Sequence, residues 1–167
     1  MPGEPAYVTS LEEVAWGLCL IAVTIVLHGV GTTWALRATE GPDDLAKPEF
    51  VGLELARIIG LALTLVLLHL VEVLVWAGFF NWQGCFGTLS LNFYVALLDY
   101  TTLGSNYDLP LRWRLLEGMI AICGLLTFAW TTSVLMGVIQ RVQDRRIGRR
   151  RLRAAAESAS GADQGSP

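Results

Sequence analysis

Apolar residues fill three long stretches almost without interruption, Val14 to Leu36, Ile58 to Phe80 and Leu115 to Ile139, and none alternates with a period of two. At about 1.5 Å per residue, each is long enough as a helix to cross a hydrocarbon core of about 30 Å. A fourth apolar run, Leu89 to Tyr100, reaches only roughly 18 Å as a helix and falls short of a span. It is followed by a polar, glycine-bearing turn, Thr101-Thr102-Leu103-Gly104-Ser105-Asn106-Tyr107-Asp108. The pattern predicts a short helix that enters the membrane, turns at depth and leaves. Such a loop is tolerable only where its bare backbone is buried in protein or lines a wet cavity.

The segments between these runs carry helix punctuation. Ser10 followed by Glu12 and Glu13 reads as a cap with acids in the first turn. Trp16 and Trp34 stand near the two ends of the first span as interfacial anchors. Gly17, Gly29 and Gly31 permit close helix contact there, without forming a G-x-x-x-G pattern. Gly-Pro-Asp-Asp and Lys-Pro mark a loop from Arg37 to Phe50, a second helix begins near Gly52, and residues 81–87 turn out of it. The predicted organisation is a lead over 1–10, a first transmembrane helix over 11–37, a loop over 38–52 and a module over 53–140 made of the second helix, the short helix, the polar turn and the third helix. A basic tail over 141–167 completes it, and its Ala/Ser/Gly-rich end after Arg153 is expected to be disordered.

Composition agrees with a membrane protein: 53% of the 167 residues are hydrophobic and only 16% charged, against about a quarter in soluble domains. The net charge of −3 conceals an asymmetry, with Glu4, Glu12 and Glu13 at one end and seven arginines from Arg141 to Arg153 at the other. Arginines favour the cytoplasmic side, which predicts a plasma-membrane protein with its N-terminus outside and its C-terminus inside. Arg37, Lys47 and Arg57 then lie inside, whereas Arg112 and Arg114 fall outside, against the trend. No basic residue precedes the first apolar run, so a cleavable signal peptide is not expected. Beside a membrane, the arginine cluster is expected to meet anionic lipid rather than nucleic acid. Cys19, Cys85 and Cys123 are scattered among apolar neighbours without metal-like spacing.

The order short helix, Thr-Thr-hydrophobic-Gly, polar turn, Asp and long helix resembles the pore module of potassium-channel-type proteins over about fifty residues. Thr101, Thr102, Leu103 and Gly104 match the first half of that family's T-x-G-Y-G filter. Phe93 and Tyr94 stand where aromatics brace the filter from the pore helix, together with Asp99 just before the Thr-Thr pair. The second half departs: Ser105-Asn106 replaces Tyr-Gly, and Asp108 comes four residues after Gly104 where the family's acid comes three after its glycine. The resemblance implies an all-α membrane protein that assembles as a homotetramer in the lipid bilayer. It would have three transmembrane helices, a re-entrant pore helix, a filter built from residues 101–106 and an acidic outer mouth at Asp108. Gly124, twenty residues after Gly104, falls where the family carries a hinge glycine in its inner helix; a packing glycine is the other reading. Potassium or another monovalent cation would be the transported ion, with no cofactor and no enzymatic activity. Without the tyrosine strut at position 105, weak discrimination between potassium and sodium is expected.

Ionisable groups at membrane depth are costly and single themselves out. His28 lies in the first span, and His69 and Glu72, three apart on one helix face, lie in the second. They read as a polar lock, bonded to each other or to a neighbouring helix such as the pore helix. Alternatively, His28 and His69 are axial ligands of a haem in a redox protein, at depths differing by about 6 Å on antiparallel spans. Glu117, near the outer end of the third span, is a further ionisable group. Carboxylates and histidines at depth are too few for a di-iron or zinc centre, so no metal site is expected, and no nucleotide-binding glycine loop or nucleophile elbow is present. A pore-loop module that does not conduct, kept for assembly or partner binding, remains the alternative to a channel.

Overall fold

The structure, a computed structural model, describes residues 7–39 and 51–163. Most of the predicted 38–52 loop, and the first residues of the lead, lie outside that range. Four α-helices follow in order: α1 (Leu11–Thr39), α2 (Val51–Trp82), α3 (Leu89–Tyr100) and α4 (Leu115–Asp163), with a turn of 3-10 helix at Leu111–Trp113. Three of them, α1, α2 and α4, are long and apolar enough to cross a membrane. The short helix has the bounds that the apolar run Leu89 to Tyr100 predicts.

The helix ends follow from local chemistry. Ser10 caps α1, its Oγ accepting the Glu13 N–H at 3.1 Å. Thr88 caps α3 in extended conformation and accepts the Leu91 N–H at 3.2 Å. Asn92 holds the chain leading into α3, donating from Nδ2 to Thr88 O at 2.7 Å and Phe86 O at 3.2 Å. α2 unwinds at Gly84, whose φ of +67° suits a residue without Cβ.

The long helices are built inside out. Along α1 the buried positions are Glu13, Gly17, Leu20, Thr24, His28, Thr32 and Ala35, a stripe spaced by three and four. Four of these seven are polar, while Leu18, Val23, Val26, Val30 and Trp34 face outward. In water such a helix would be wrong; against lipid the apolar face belongs outside and polar groups are satisfied within. α2 repeats the arrangement, with His69 and Glu72 buried beside Trp76 and Leu63, Val66 and Leu67 exposed.

One apolar core sits at the end of the bundle where α1 and α4 begin and α2 finishes. Trp16, Phe79, Trp82 and Trp113 meet there with ring centroids 5.3–6.0 Å apart. At this end Glu13 accepts the Leu115 N–H at 2.6 Å, placing a carboxylate on the N-terminus of α4. The two arginines that sequence puts on this side are paired, Arg112 with Glu12 at 2.6 Å and Arg114 with Asp108 at 3.0 Å. A smaller core of Ala35, Leu61 and Leu65 lies toward the other end. There Glu54 receives Arg146 at 2.6 Å and Arg149 at 2.8 Å, which ties the start of α2 to the arginine-rich part of α4.

One expectation is corrected. The segment after Arg153 continues α4 to Asp163 instead of being disordered. Composition alone misleads here because Ala154, Ala155, Ala156 and Glu157 are strong helix formers that prolong an existing helix, so no new nucleus is needed.

Candidate functional site

Two features converge at the C-terminal end of α3. The first is a polar centre midway along the bundle, to which every helix contributes. His28 on α1 approaches Glu72 on α2, Nδ1 to Oε1, at 2.8 Å. His69, one turn before Glu72 on the same face, places Nδ1 3.3 Å from Oε2 and 2.9 Å from the Tyr100 hydroxyl. Tyr100, the last residue of α3, donates to Glu72 Oε2 at 2.5 Å and lies 2.5 Å from Thr127 Oγ1 on α4. One turn further along α4, Thr131 Oγ1 is 2.9 Å from His69 Nε2 and 3.4 Å from His28 Nε2. Next to the centre, Trp76 Nε1 donates to Thr24 Oγ1 at 3.1 Å, joining α2 to α1. His28, Glu72 and Thr127 are fully buried and Tyr100 nearly so. The carboxylate thus gathers three hydrogen bonds from three elements, the condition under which a charge at depth is tolerated.

His69 and Glu72 reach both each other and the short helix, while His28, which the sequence offers as a separate residue, joins the same carboxylate. The geometry does not fit a haem. The His28 and His69 rings are 5.3 Å apart between centroids and tilted by 36°, and both Nε2 atoms face one threonine hydroxyl. The ring nitrogens are instead engaged by neighbours, both Nδ1 atoms by Glu72 or Tyr100 and both Nε2 atoms by Thr131, and no pair of them faces across a gap for an iron. Tyr100, Thr127 and Thr131 were not singled out from sequence. The available signal was the pair Thr127 and Thr131, four apart in an apolar helix and therefore on one face.

The second feature is the loop. The N–H groups of Thr101, Thr102, Leu103 and Gly104 all turn back into α3, donating to Leu97, Asp99, Leu98 and Leu98 carbonyls at 2.9–3.3 Å. Thr101 Oγ1 adds bonds to the Leu97 and Leu98 carbonyls. This closes the helix in the manner of a Schellman cap, with Thr102 at φ +62° in the place normally held by glycine. Among the described residues, the carbonyls of residues 101–106 accept no hydrogen bond. The amides are spent and the carbonyls are bare. Gly104, at φ +69°, continues the left-handed course. Ser105 Oγ accepts the Tyr107 N–H at 3.1 Å and donates to the Tyr107 carbonyl at 2.8 Å, forming a small local turn.

Aromatic bracing of the loop comes from an unexpected residue. Ser105 offers no strut, but Tyr107 stands edge-on to Tyr94 at 6.5 Å and to Phe86 at 6.4 Å. Phe93 packs on the apolar core. Asp99 is buried behind the loop, and its Oδ2 has no hydrogen-bond partner among the described residues. Asp108, expected at an acidic mouth, pairs with Arg114, while Glu117 Oε1 accepts the Leu109 N–H at 2.7 Å. Gly124 is packed rather than open: a Cβ there would collide with the Tyr100 carbonyl.

Thr102 offers a test of the cap. A β-branched residue at positive φ costs about 1–2 kcal/mol, and glycine returns part of this as chain entropy. Thr102→Gly is therefore expected to stabilise the protein by roughly 0.5–1 kcal/mol in detergent unfolding. Lower stability would show that the threonine side chain compensates its own strain.

No protein-family model, no curated protein and no solved structure matches the chain.

Proposed function

We propose that four copies of this chain form a pore that passes monovalent cations with little discrimination between potassium and sodium, the loop of residues 101–106 lining its narrow part. The observation that carries this reading is the hydrogen-bond asymmetry of the loop: four consecutive amides are consumed by α3 while the carbonyls from Thr101 to Asn106 have no donor among the described residues. Carbonyl oxygens without donors suit a cation and disfavour an anion. The C-terminal end of α3 adds the negative end of a helix dipole at the same place. A backbone so exposed also needs company at membrane depth, which copies around an axis and a water-filled path supply. Only part of the loop follows the regular filter pattern, so fewer successive dehydrating sites are expected than in a strict potassium pore.

The test is purified protein in planar bilayers with potassium on one side and sodium on the other. A cation current reversing close to zero is expected. A strongly potassium-selective current overturns the weak-selectivity reading. Absence of current from a reconstituted tetramer, or a stable monomer by mass measurement in nanodiscs, overturns the pore and leaves a non-conducting module.

A further inference from the structure

The polar centre has a mismatch in its protons. If Glu72 is ionised, it is best satisfied by N–H groups on the Nδ1 atoms of both His28 and His69. Each neutral ring then presents a bare Nε2, and both Nε2 atoms face the single hydroxyl of Thr131, at 3.4 and 2.9 Å. One hydroxyl proton cannot serve two acceptors. With both rings neutral, an ionised Glu72 also has no full positive charge among its partners. Both defects vanish if a cation occupies the place of the Nδ1 protons. Each imidazole then carries its proton on Nε2, and Thr131 Oγ1 accepts from both rings. A second-sphere acceptor on the far nitrogen is the usual support of a metal-bound histidine.

We propose that His28, His69, Glu72 and Tyr100 bind one first-row divalent cation of the zinc class in each protomer. One donor atom from each of His28, His69 and Glu72 lies within 4.8 Å of the others, and all three residues are buried. Ligand atoms around a tetrahedral ion with bonds of about 2.0–2.1 Å stand roughly 3.4 Å apart. The donor atoms here stand at 2.8 Å (His28 Nδ1 to Glu72 Oε1), 2.5 Å (Tyr100 hydroxyl to Glu72 Oε2), 2.9 Å (His69 Nδ1 to Tyr100 hydroxyl) and 3.3 Å (His69 Nδ1 to Glu72 Oε2), so binding an ion pushes them apart, most of all the tyrosine from the carboxylate. Two imidazoles with two oxygens select zinc-like ions over magnesium or calcium, which demand more oxygen ligands. Charge balances if the Tyr100 hydroxyl proton is released to solvent on binding, since a dication with one carboxylate and one phenolate is neutral. Thr127, 2.5 Å from that oxygen, donates to the phenolate. The site is complete in one chain, so it stands whether or not the loop conducts. Its effect would be to staple all four helices and fix Tyr100 behind the loop.

The experiment uses full-length protein in nanodiscs, stripped with chelator and titrated with Zn²⁺ and with Co²⁺ as a spectroscopic probe. One ion per protomer is expected, with the intense visible bands of four-coordinate Co²⁺, a raised unfolding temperature and about one proton released per ion in weakly buffered solution. His28→Gln and Glu72→Gln should abolish the Co²⁺ bands, and Thr131→Val should weaken binding by about 10–100-fold. Should the ligand variants fail to fold, the spectrum and stoichiometry of the unmodified protein still decide. Co²⁺ bands of a six-coordinate oxygen site, no ion bound at micromolar concentration, or bands that persist in His28→Gln would overturn the proposal.

Discussion

Glu72→Ala is expected to be the most damaging single substitution in the bundle, lowering stability by about 2–5 kcal/mol. The carboxylate is fully buried and takes hydrogen bonds from His28, His69 and Tyr100. Individual polar contacts between membrane helices average about 0.6 kcal/mol and reach about 1.7 kcal/mol. Three of them give the stated range, which overlaps the 3–5 kcal/mol typical of removing one partner from a buried ionic group. Alanine also strands donors on three different helices, with no water to take them over. The measurement is unfolding by denaturing detergent in mixed micelles, followed through the tryptophans, six of which the chain contains. Loss of less than about 0.5 kcal/mol would show that the centre does not hold the helices together.

Gly124→Ala is expected to follow, with a loss of about 1–3 kcal/mol from overpacking. The added methyl meets the backbone carbonyl of Tyr100, not the end of a flexible side chain, so α3 as a whole must move. Gly17 and Gly31 are different in kind. The atoms nearest to them are the side-chain tips of Met119 and Leu68, which can swing away, so alanine there should cost far less. The contrast among three glycines is the informative result. If all three substitutions cost the same, or if Gly124→Ala changes current gating with stability intact, close packing is not what Gly124 provides.

Much of the fold could be read from one simple property. Three unbroken apolar runs and one short run gave the element order, because membrane helices must satisfy their own backbone and so announce themselves by length. The Ser10 cap was equally legible, since its side chain acts within four residues. The centre was legible only in part. His28, His69 and Glu72 stand out as costly residues at depth, but their convergence depends on how helices rotate about their axes. In an apolar helix the hydrophobic pattern hardly marks that rotation. Tyr100 was invisible for a related reason: an aromatic residue at the end of an apolar helix is unremarkable until Glu72 is seen beside its hydroxyl. Tyr107 shows the reverse, an aromatic that braces the loop from a position where the familiar pattern does not look for one.

The position of Tyr100 also bears on how the protein is made. Chains emerge and insert from the N-terminus onward, so α1 and α2 are in the membrane before α4 exists. Those two can pair at once, since His28 meets Glu72 and Trp76 meets Thr24 without help from later residues. α3 cannot yet settle, because its last carbonyl rests on Gly124 and its last hydroxyl on Thr127, both still unmade. Biogenesis is therefore expected to pause with a paired hairpin and an undocked α3. Synthesis of α4 then seats the loop last, so a ribosome-bound chain truncated before Gly124 should carry the hairpin but leave Tyr100 open to modification.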